Sequence, residues 1–551
     1  MQQAKVLRRL ALELAAATLV PLTLARLDAW TVRVPSLGLF RGRGAAVLVA
    51  GAILYGLGRL LGERFAGIVA RLARQPAPVF FGLALALYAG VGLHYAAGIQ
   101  VSGDEPHYLV MAQSIWRDHD LELRDEYEGE EWAEFMPGPL RPHWGAPRAD
   151  GRPYPAHSPG LPMLLAPAYA MGGRNGCVLL VAFIAAAAAL VCQRLALRAT
   201  GDADAALVAW LAAAGAPLFF YSFHLYTEAP SALAVGLALL LLTGAPGVPG
   251  AVLAALATST LPWLHLKMIP AAAALGLVAA LRLRGSALAA FLIAAGTMAA
   301  GFGLYYLSVF GVPTPLAIYG GSLPADAQAF SWRALAGLLI DRSFGVLVIA
   351  PVFLLALAGL PQAARRRETW PVALAGLAVL APVLTWRMWW GGQCPPARML
   401  VPMLPLLAVA VAMRVALGRD GLVRWWPGLL LVGASLAAVA VADPGARLLL
   451  NRGNRPTRLW LALSDHVPLV DYLPSLTHAS ARDTHVAFVW IAALGLLLVC
   501  DRLARSRARV DGLFRSFLVP VVALLLIGAT IDMAVGRPAP VPVIAPESPE
   551  P

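Results

Sequence analysis

The sequence predicts an all-α protein that crosses a membrane many times. Three observations carry that reading. Of 551 residues, 59% are hydrophobic and 13% charged, the mean hydropathy is +0.70, and long apolar stretches recur along the whole length. A soluble protein carries about 25% charged residues, so this chain lacks the charge to cover a soluble surface. That excludes a soluble enzyme and a disordered protein. The four cysteines are too few and too scattered for a disulfide scaffold.

A spanning helix needs about 20 predominantly apolar residues. Such stretches begin near Ala11, Ala45, Ala77, Gly176, Ala205, Pro230, Gly250, Ile269, Ser286, Phe344, Trp370, Met399, Trp426, Ala487 and Phe517. The expectation is about 13 to 15 spanning helices, with a shorter apolar stretch at 161–171 read as re-entrant. Glu13 interrupts the first stretch; no small-residue cleavage site follows, so it reads as an uncleaved helix. Four regions follow: N-terminal helices at 1–76, a central module at 77–425, C-terminal helices at 426–535, and a Pro-rich disordered tail at 536–551.

Arginine sets the orientation, because short cytoplasmic loops collect positive charge. Alternate loops hold Arg64, Arg71 and Arg74; Arg194 and Arg198; Arg282 and Arg284; Arg365, Arg366 and Arg367; Arg414, Arg419 and Arg424; and Arg502, Arg505, Arg507 and Arg509. These mark the cytoplasmic side of an inner membrane. The other side receives the long polar segments 99–158, 312–343, 386–398 and 444–486, and all ten histidines fall there or at the helix ends facing it. The net charge of +12 is therefore mainly an orientation signal. It forms no basic face with interleaved aromatics, and no nucleic-acid partner is expected.

Segment 99–158 holds 12 of the 31 acidic residues. It opens with Ser102-Gly-Asp-Glu-Pro-His-Tyr-Leu109. Asp104 followed by Pro106 is a good helix start, since the side chain can accept from free N–H groups and the proline has none to satisfy. Tyr108, Met111 and Ile115 then follow helical spacing, which predicts a short amphipathic helix on the membrane surface. Asp104 is either a simple cap or, with Glu105, an active-site acid at the bilayer boundary, where carboxylates are costly and tend to be functional. Glu228 stands at another outer turn, four residues after His224 and thus within reach of the same helical face. Asp104, Glu105 and Glu228 together make a plausible site for a general base or a divalent cation such as Mg or Mn, with Asp104 and Glu228 as ligands.

Cations reach the same side. Lys267, beside His265, is one of two lysines in a chain of 41 arginines. Arg387 and Arg398 bracket the turn Trp386-Arg-Met-Trp-Trp-Gly-Gly-Gln-Cys-Pro-Pro-Ala-Arg398, and Arg342 starts another outer helix. These four are the candidate phosphate contacts. His107, Tyr108, His157, His224, His265 and Trp390 are candidate substrate contacts. Trp390 and its neighbours also fit an interfacial aromatic belt. Acids and bases converging on one lip of a membrane fit chemistry on an anionic lipid.

Three ordered motifs carry a resemblance. The 102–109 segment resembles the acidic motif of GT-C class membrane glycosyltransferases, among them protein O-mannosyltransferases and lipid A aminoarabinose transferases. Tyr154-Pro-Ala-His-Ser-Pro-Gly-Leu-Pro-Met-Leu-Leu-Ala-Pro167 resembles the Lys/His-Pro-Pro-Gly segment after that loop, with Ser158 in place of a common proline. Trp390-Gly-Gly-Gln-Cys-Pro-Pro-Ala-Arg398 is similar to a Gly-Gly…Gly-Pro-Arg turn, from which Pro396-Ala397 departs. The resemblance implies a GT-C fold and inverting transfer from a polyprenyl-phosphate sugar to a hydroxyl of an envelope acceptor (glycolipid, polysaccharide or protein). It implies Asp104 as base or metal-linked acid and membrane lipids as surroundings. A lipid-linked-sugar flippase and a polysaccharide polymerase or ligase are the competing classes. A transporter would carry ionisable residues near the midplane and a hydropathy repeat, and the sequence shows neither. Loop 444–486 places Arg447, Arg452, Arg455 and Arg458 on the outer side, and is expected to dock on the acidic first loop or bind an anionic acceptor.

Overall fold

The computed structural model describes residues 62–506, except 147–150, 153, 245, 323–326, 419, 443–447, 454–456, 464–468 and 478–479. The apolar stretches from Ala11, Ala45 and Phe517, the tail at 536–551, and Arg447 and Arg455 lie outside the described residues. Within them the protein is helical, and pairing of extended backbone is limited to the isolated bridges Trp144–Pro155, Ala327–Trp386 and Cys394–Asn451.

The main helices are α1 (Gly62–Ala73), α2 (Ala77–Gly98), α3 (Glu105–Arg117), α4 (Gly160–Thr200), α5 (Ala203–Ala214), α6 (Glu228–Leu242), α7 (Val248–Leu264), α8 (Ile269–Arg282) and α9 (Gly285–Phe310). They continue with α10 (Trp332–Ile340), α11 (Leu354–Arg365), α12 (Trp370–Leu384), α13 (Leu404–Ala416), α14 (Trp426–Ala442) and α15 (Ala481–Ser506). Every apolar stretch expected to begin between Ala77 and Ala487 forms helix, the one from Phe344 only after a short turn at Val346–Ile349 and a break at Ala350. Among the described residues, six helical segments are long and apolar enough to cross a membrane, and four more are apolar but shorter. Prolines explain part of the shortening. Pro217 follows the end of α5, and Pro351 and Pro402 fall in short 3-10 turns ahead of α11 and α13, where a proline cannot supply the N–H a continuous helix needs.

Helix α2 shows how such a segment packs. Phe80, Ala84, Tyr88, Gly92 and Tyr95 recur at helical spacing and are buried against the bundle, while Leu83, Leu87 and Leu93 are exposed, as an apolar helix facing lipid requires. Helices α4 and α13 form the centre; every residue from Leu404 to Arg414 is buried. Helix α4 packs on α2, α3, α5, α6 and α13.

The 161–171 stretch is the first arm of α4. Gly172 and Gly173 leave helical geometry, Gly173 with φ 55°, and the chain turns back on itself. Cys177 Sγ lies 3.7 Å from the Leu165 carbonyl, a contact that residues 12 apart on one straight helix, about 18 Å along the axis, do not make. The stretch is thus one arm of a helical hairpin.

Two expectations need correction. Helix α3 is not an amphipathic surface helix, because every residue from Glu105 to Ser114 is buried. The period in its sequence marks contact with α4 on one side, and the acidic loop covers the other. Asp104 occupies the cap position without capping; its side chain is drawn elsewhere. Loop 444–486 also docks differently: Asn451 pairs with Cys394 through the backbone and donates Nδ2 to the Ser343 carbonyl, and Arg452 Nε donates to Gln393 Oε1. Leu476 N donates to Asp341 Oδ2. Its partners are the 386–398 turn and the segment before α11, where backbone groups and one buried carboxylate offer hydrogen bonds. Arg458 points to solvent.

Candidate active site

Four short segments bring four charges together at helix ends. Asp104 precedes α3, Glu228 is the first residue of α6, Lys267 sits in the 3-10 turn Leu266–Met268 between α7 and α8, and Arg398 opens the 3-10 turn Arg398–Met403 before α13. Arg398 is the hub. Its Nη2 donates to Asp104 Oδ2 at 2.8 Å, Nε to Glu228 Oε1 at 2.9 Å and Nη1 to the Gly391 carbonyl at 2.7 Å. The guanidinium carbon lies 4.2 Å from the centre of the Tyr226 ring. Lys267 Nζ donates to the same Glu228 Oε1 at 2.8 Å. Two acids and two bases therefore form one neutral, almost fully buried network.

Local backbone explains the aim of each. Gly391 and Gly392 hold φ of 91° and 81°, which turns the chain so that the Gly391 carbonyl faces Arg398. His265 Nδ1 accepts from the Lys267 amide at 3.1 Å, fixing the turn that carries Lys267. Glu228 keeps its second oxygen, Oε2, without a partner although it is buried.

Asp104 also faces a histidine cluster. The rings of His107 and His143 stack with centroids 3.8 Å apart, His143 Nδ1 and His157 Nε2 are 3.2 Å apart, and His107 Nδ1 is 2.7 Å from the Tyr127 hydroxyl. The Tyr108 ring centre lies 4.9 Å from that of His157. Burial and the neighbouring imidazoles push His107 down to about 3. Burial pushes His157 down to about 4, although Asp104 pulls it up. Burial also pushes the Asp104 carboxyl up, but the Arg398 guanidinium and then His157 outweigh it and hold the group well below the usual carboxylate range. With its side chain 27% exposed, Asp104 is governed by the charge beside it more than by lost water.

The ligand atoms of Asp104, His143 and His157 lie within 4.8 Å of one another, so these three fit a divalent cation. Glu228 is not in that group: it pairs with both Arg398 and Lys267, and its ligand oxygens do not join the cluster. The donor set also shifts the metal expected: two imidazoles and a carboxylate suit Mn2+ or Zn2+ better than Mg2+.

Other expected residues lie elsewhere. Glu105 is a clamp: Oε1 accepts from Leu225 N at 2.9 Å and Oε2 from Ser102 N at 3.2 Å. His224 does not share a helical face with Glu228; it precedes α6, holds the Phe220 carbonyl through Nδ1 and meets the Tyr95 hydroxyl through Nε2. Arg342 donates to the Val470 carbonyl and so ties down loop 444–486. Trp390 packs against Phe344, Trp389 and Gly453. Arg387 is exposed on the 386–398 turn. Sequence reasoning missed His143 and Tyr226. Pro142-His143 in the same loop was a visible signal for the first, whereas nothing local announces that the Tyr226 ring lies under a guanidinium.

Fold and site together define a multi-pass α-helical membrane protein with a buried acid–base network where its loops meet. No family model and no curated protein matches the chain. Among solved structures, it is similar to ArnT from Cupriavidus metallidurans in the apo state, at 18% identity and a TM-score of 0.43, over 82% of this chain and 74% of that one. It is similar to the same protein bound to undecaprenyl phosphate at 17% identity and a TM-score of 0.43, over 82% and 77%. A further likeness is to the oligosaccharyltransferase of Archaeoglobus fulgidus, at 14% identity and a TM-score of 0.35, over 66% of this chain and 55% of that one.

Proposed function

We propose that the protein is an inverting glycosyltransferase that moves a sugar from a polyprenyl-phosphate donor to a hydroxyl of an envelope acceptor at the outer face of the inner membrane. The observation that carries this reading is the Asp104–Arg398–Glu228–Lys267 network. It gathers, at the ends of membrane helices, an ionised carboxylate and two cations suited to an anionic leaving group.

Glu228 holds the Arg398 and Lys267 charges side by side through one oxygen, so once Asp104 releases Arg398 these three groups present one net positive charge to an incoming phosphate. In a buried site that charge stabilises a departing lipid phosphate far better than water does. Asp104 takes the acceptor proton as the hydroxyl attacks the anomeric carbon. While it holds Arg398 it is a weak base; a phosphate that draws the guanidinium away raises its basicity. Base strength is then coupled to donor binding. A divalent cation held by Asp104, His143 and His157 would supply further charge stabilisation to the phosphate.

The test incubates purified protein with a panel of polyprenyl-phosphate sugars, with and without EDTA, and follows release of the lipid phosphate. Release with one donor, lost in Asp104→Asn, supports the reading. No release from any donor, or near-normal turnover by Asp104→Asn, overturns it.

A further inference from the structure

A second carboxylate cluster lies in the first long loop, outside the network above. Asp118 follows the last residue of α3, and Asp125 and Glu126 belong to the short helix Arg124–Glu128. Their carboxylate oxygens lie within 4.8 Å of one another. Acidic groups at a surface often cluster to no purpose, and Asp118 and Asp125 are exposed. Glu126 is different: it is fully buried, and neither Oε1 nor Oε2 has a hydrogen-bond partner of good geometry, its nearest polar side chains being Ser114 and Asp125. An ionised carboxylate removed from water with nothing to pair it is costly, and folded proteins pair such a group, neutralise it or coordinate a metal with it. Its neighbours here are Ser114 and two more carboxylates, which oppose its charge, so without a cation it keeps a proton that a bound cation would displace. Asp118 adds its charge at the C-terminal end of α3, where the helix dipole is already negative.

We propose that Asp118, Asp125 and Glu126 hold a hard divalent cation, Ca2+ in the first place. The donors are all oxygen, which selects Ca2+ or Mg2+ over the softer metals that the histidine cluster suits. Two of the three are exposed and leave room for waters, and the site spans a helix end and a loop. Ca2+ tolerates such irregular, high-coordination arrangements, whereas Mg2+ demands a near-ideal octahedron. The cation fastens the far end of α3 to the 124–128 helix. Tyr127, adjacent to Glu126, carries the hydroxyl that meets His107, so the same fastening sets the floor of the histidine cluster.

The experiment uses the full-length protein in detergent, stripped with EDTA and titrated with Ca2+, Mg2+ or Mn2+, reading Tm and the luminescence of bound Tb3+. Ca2+ is expected to raise Tm saturably and to displace Tb3+, with a weaker effect of Mg2+. Glu126→Gln and the double variant Asp118→Asn/Asp125→Asn should lose both responses. Glu126→Gln keeps the side-chain shape and removes the buried charge, so its cation-free Tm should equal or exceed that of the parent. The double variant His143→Asn/His157→Asn should keep the Ca2+ response. The proposal is overturned by a parent protein that shows neither response. A response that survives in Glu126→Gln, or disappears with the histidines, overturns it equally. Failure of the transferase reading leaves these outcomes unaffected, because none depends on turnover.

Discussion

Arg398 donates through Nη2 to Asp104 Oδ2 over 2.8 Å, closing a contact between residues 294 positions apart in the chain. The same guanidinium reaches Glu228, so one side chain reads the position of two acids and, through Glu228, of Lys267.

Removing that hub should cost more than removing an ordinary surface charge. Arg398→Ala leaves two carboxylates without their main partner in a buried site, and the expected loss of stability is about 3–5 kcal/mol. Thermal unfolding in detergent measures it. Adding Asp104→Asn to Arg398→Met should recover part of the loss, since Glu228 keeps Lys267 and no carboxylate is then left without a cation. Equal Tm values for Arg398→Met and the double variant would refute the account.

Asp104→Asn should abolish lipid-phosphate release while membrane insertion and Tm change little. Arg398 keeps its bonds to Glu228 and Gly391 in that variant. A large fall in Tm would mean that Asp104 serves the fold more than the chemistry.

The histidines make stability depend on pH in a defined window. His107 and His157 bind protons near about 6.5 when unfolded, but at about 3 and about 4 when folded. Between these values the unfolded chain holds more protons, so stability is fully present above about pH 6.5 and falls as pH drops toward about 4. Asp104 has a lowered folded value, so its contribution persists above the ordinary carboxylate range and is lost only below it. A Tm profile from pH 8 to 4.5 should therefore slope downward, and His157→Asn should flatten it. An unchanged profile in that variant would assign the slope to other groups.

Tight packing at the centre gives a separate prediction. A Cβ on Gly359 of α11 would fall on the Ala410 carbonyl oxygen of α13. Gly359→Ala should push the two helices apart and cost roughly 1–3 kcal/mol, read as a lower Tm with the donor specificity unchanged. Parent-like stability would show that the helices slide freely.

Arg414 tests a different kind of expectation. It reads as one of the arginines that mark the cytoplasmic side. In the fold it is also an anchor: Nε and Nη2 donate to the two Asp501 oxygens at 2.8 and 2.6 Å, with both side chains fully buried, joining α13 to α15. Arg414→Gln should lower Tm strongly, whereas Arg366→Gln on an exposed loop should not. Equal effects would reduce Arg414 to an orientation signal.

Much of this was legible in the chain. Apolar stretches of the right length gave helices at each expected place among the described residues, because backbone in lipid must satisfy its own hydrogen bonds. Asp104, Glu228, Lys267 and Arg398 were visible as charges out of keeping with their surroundings, and the structure joins all four. Glu105, His224 and Arg342 had the same local appearance and serve as clamps. Only the partner across the fold separates these roles. Glu105 meets a backbone amide at Leu225, and its neighbour Asp104 meets a guanidinium.

The sequence by itself determined the class of protein, the helices and the short roster of charged residues from which a site had to be drawn, since hydropathy and charge act locally along the chain. Tertiary structure decided which acid faces which base, that α3 is buried, and that His143 and His157 belong with Asp104 while Glu228 belongs with Lys267. Those choices depend on contacts between segments 39 to 294 positions apart in the chain, where a few ångströms decide whether two charges stabilise each other or stand exposed to water.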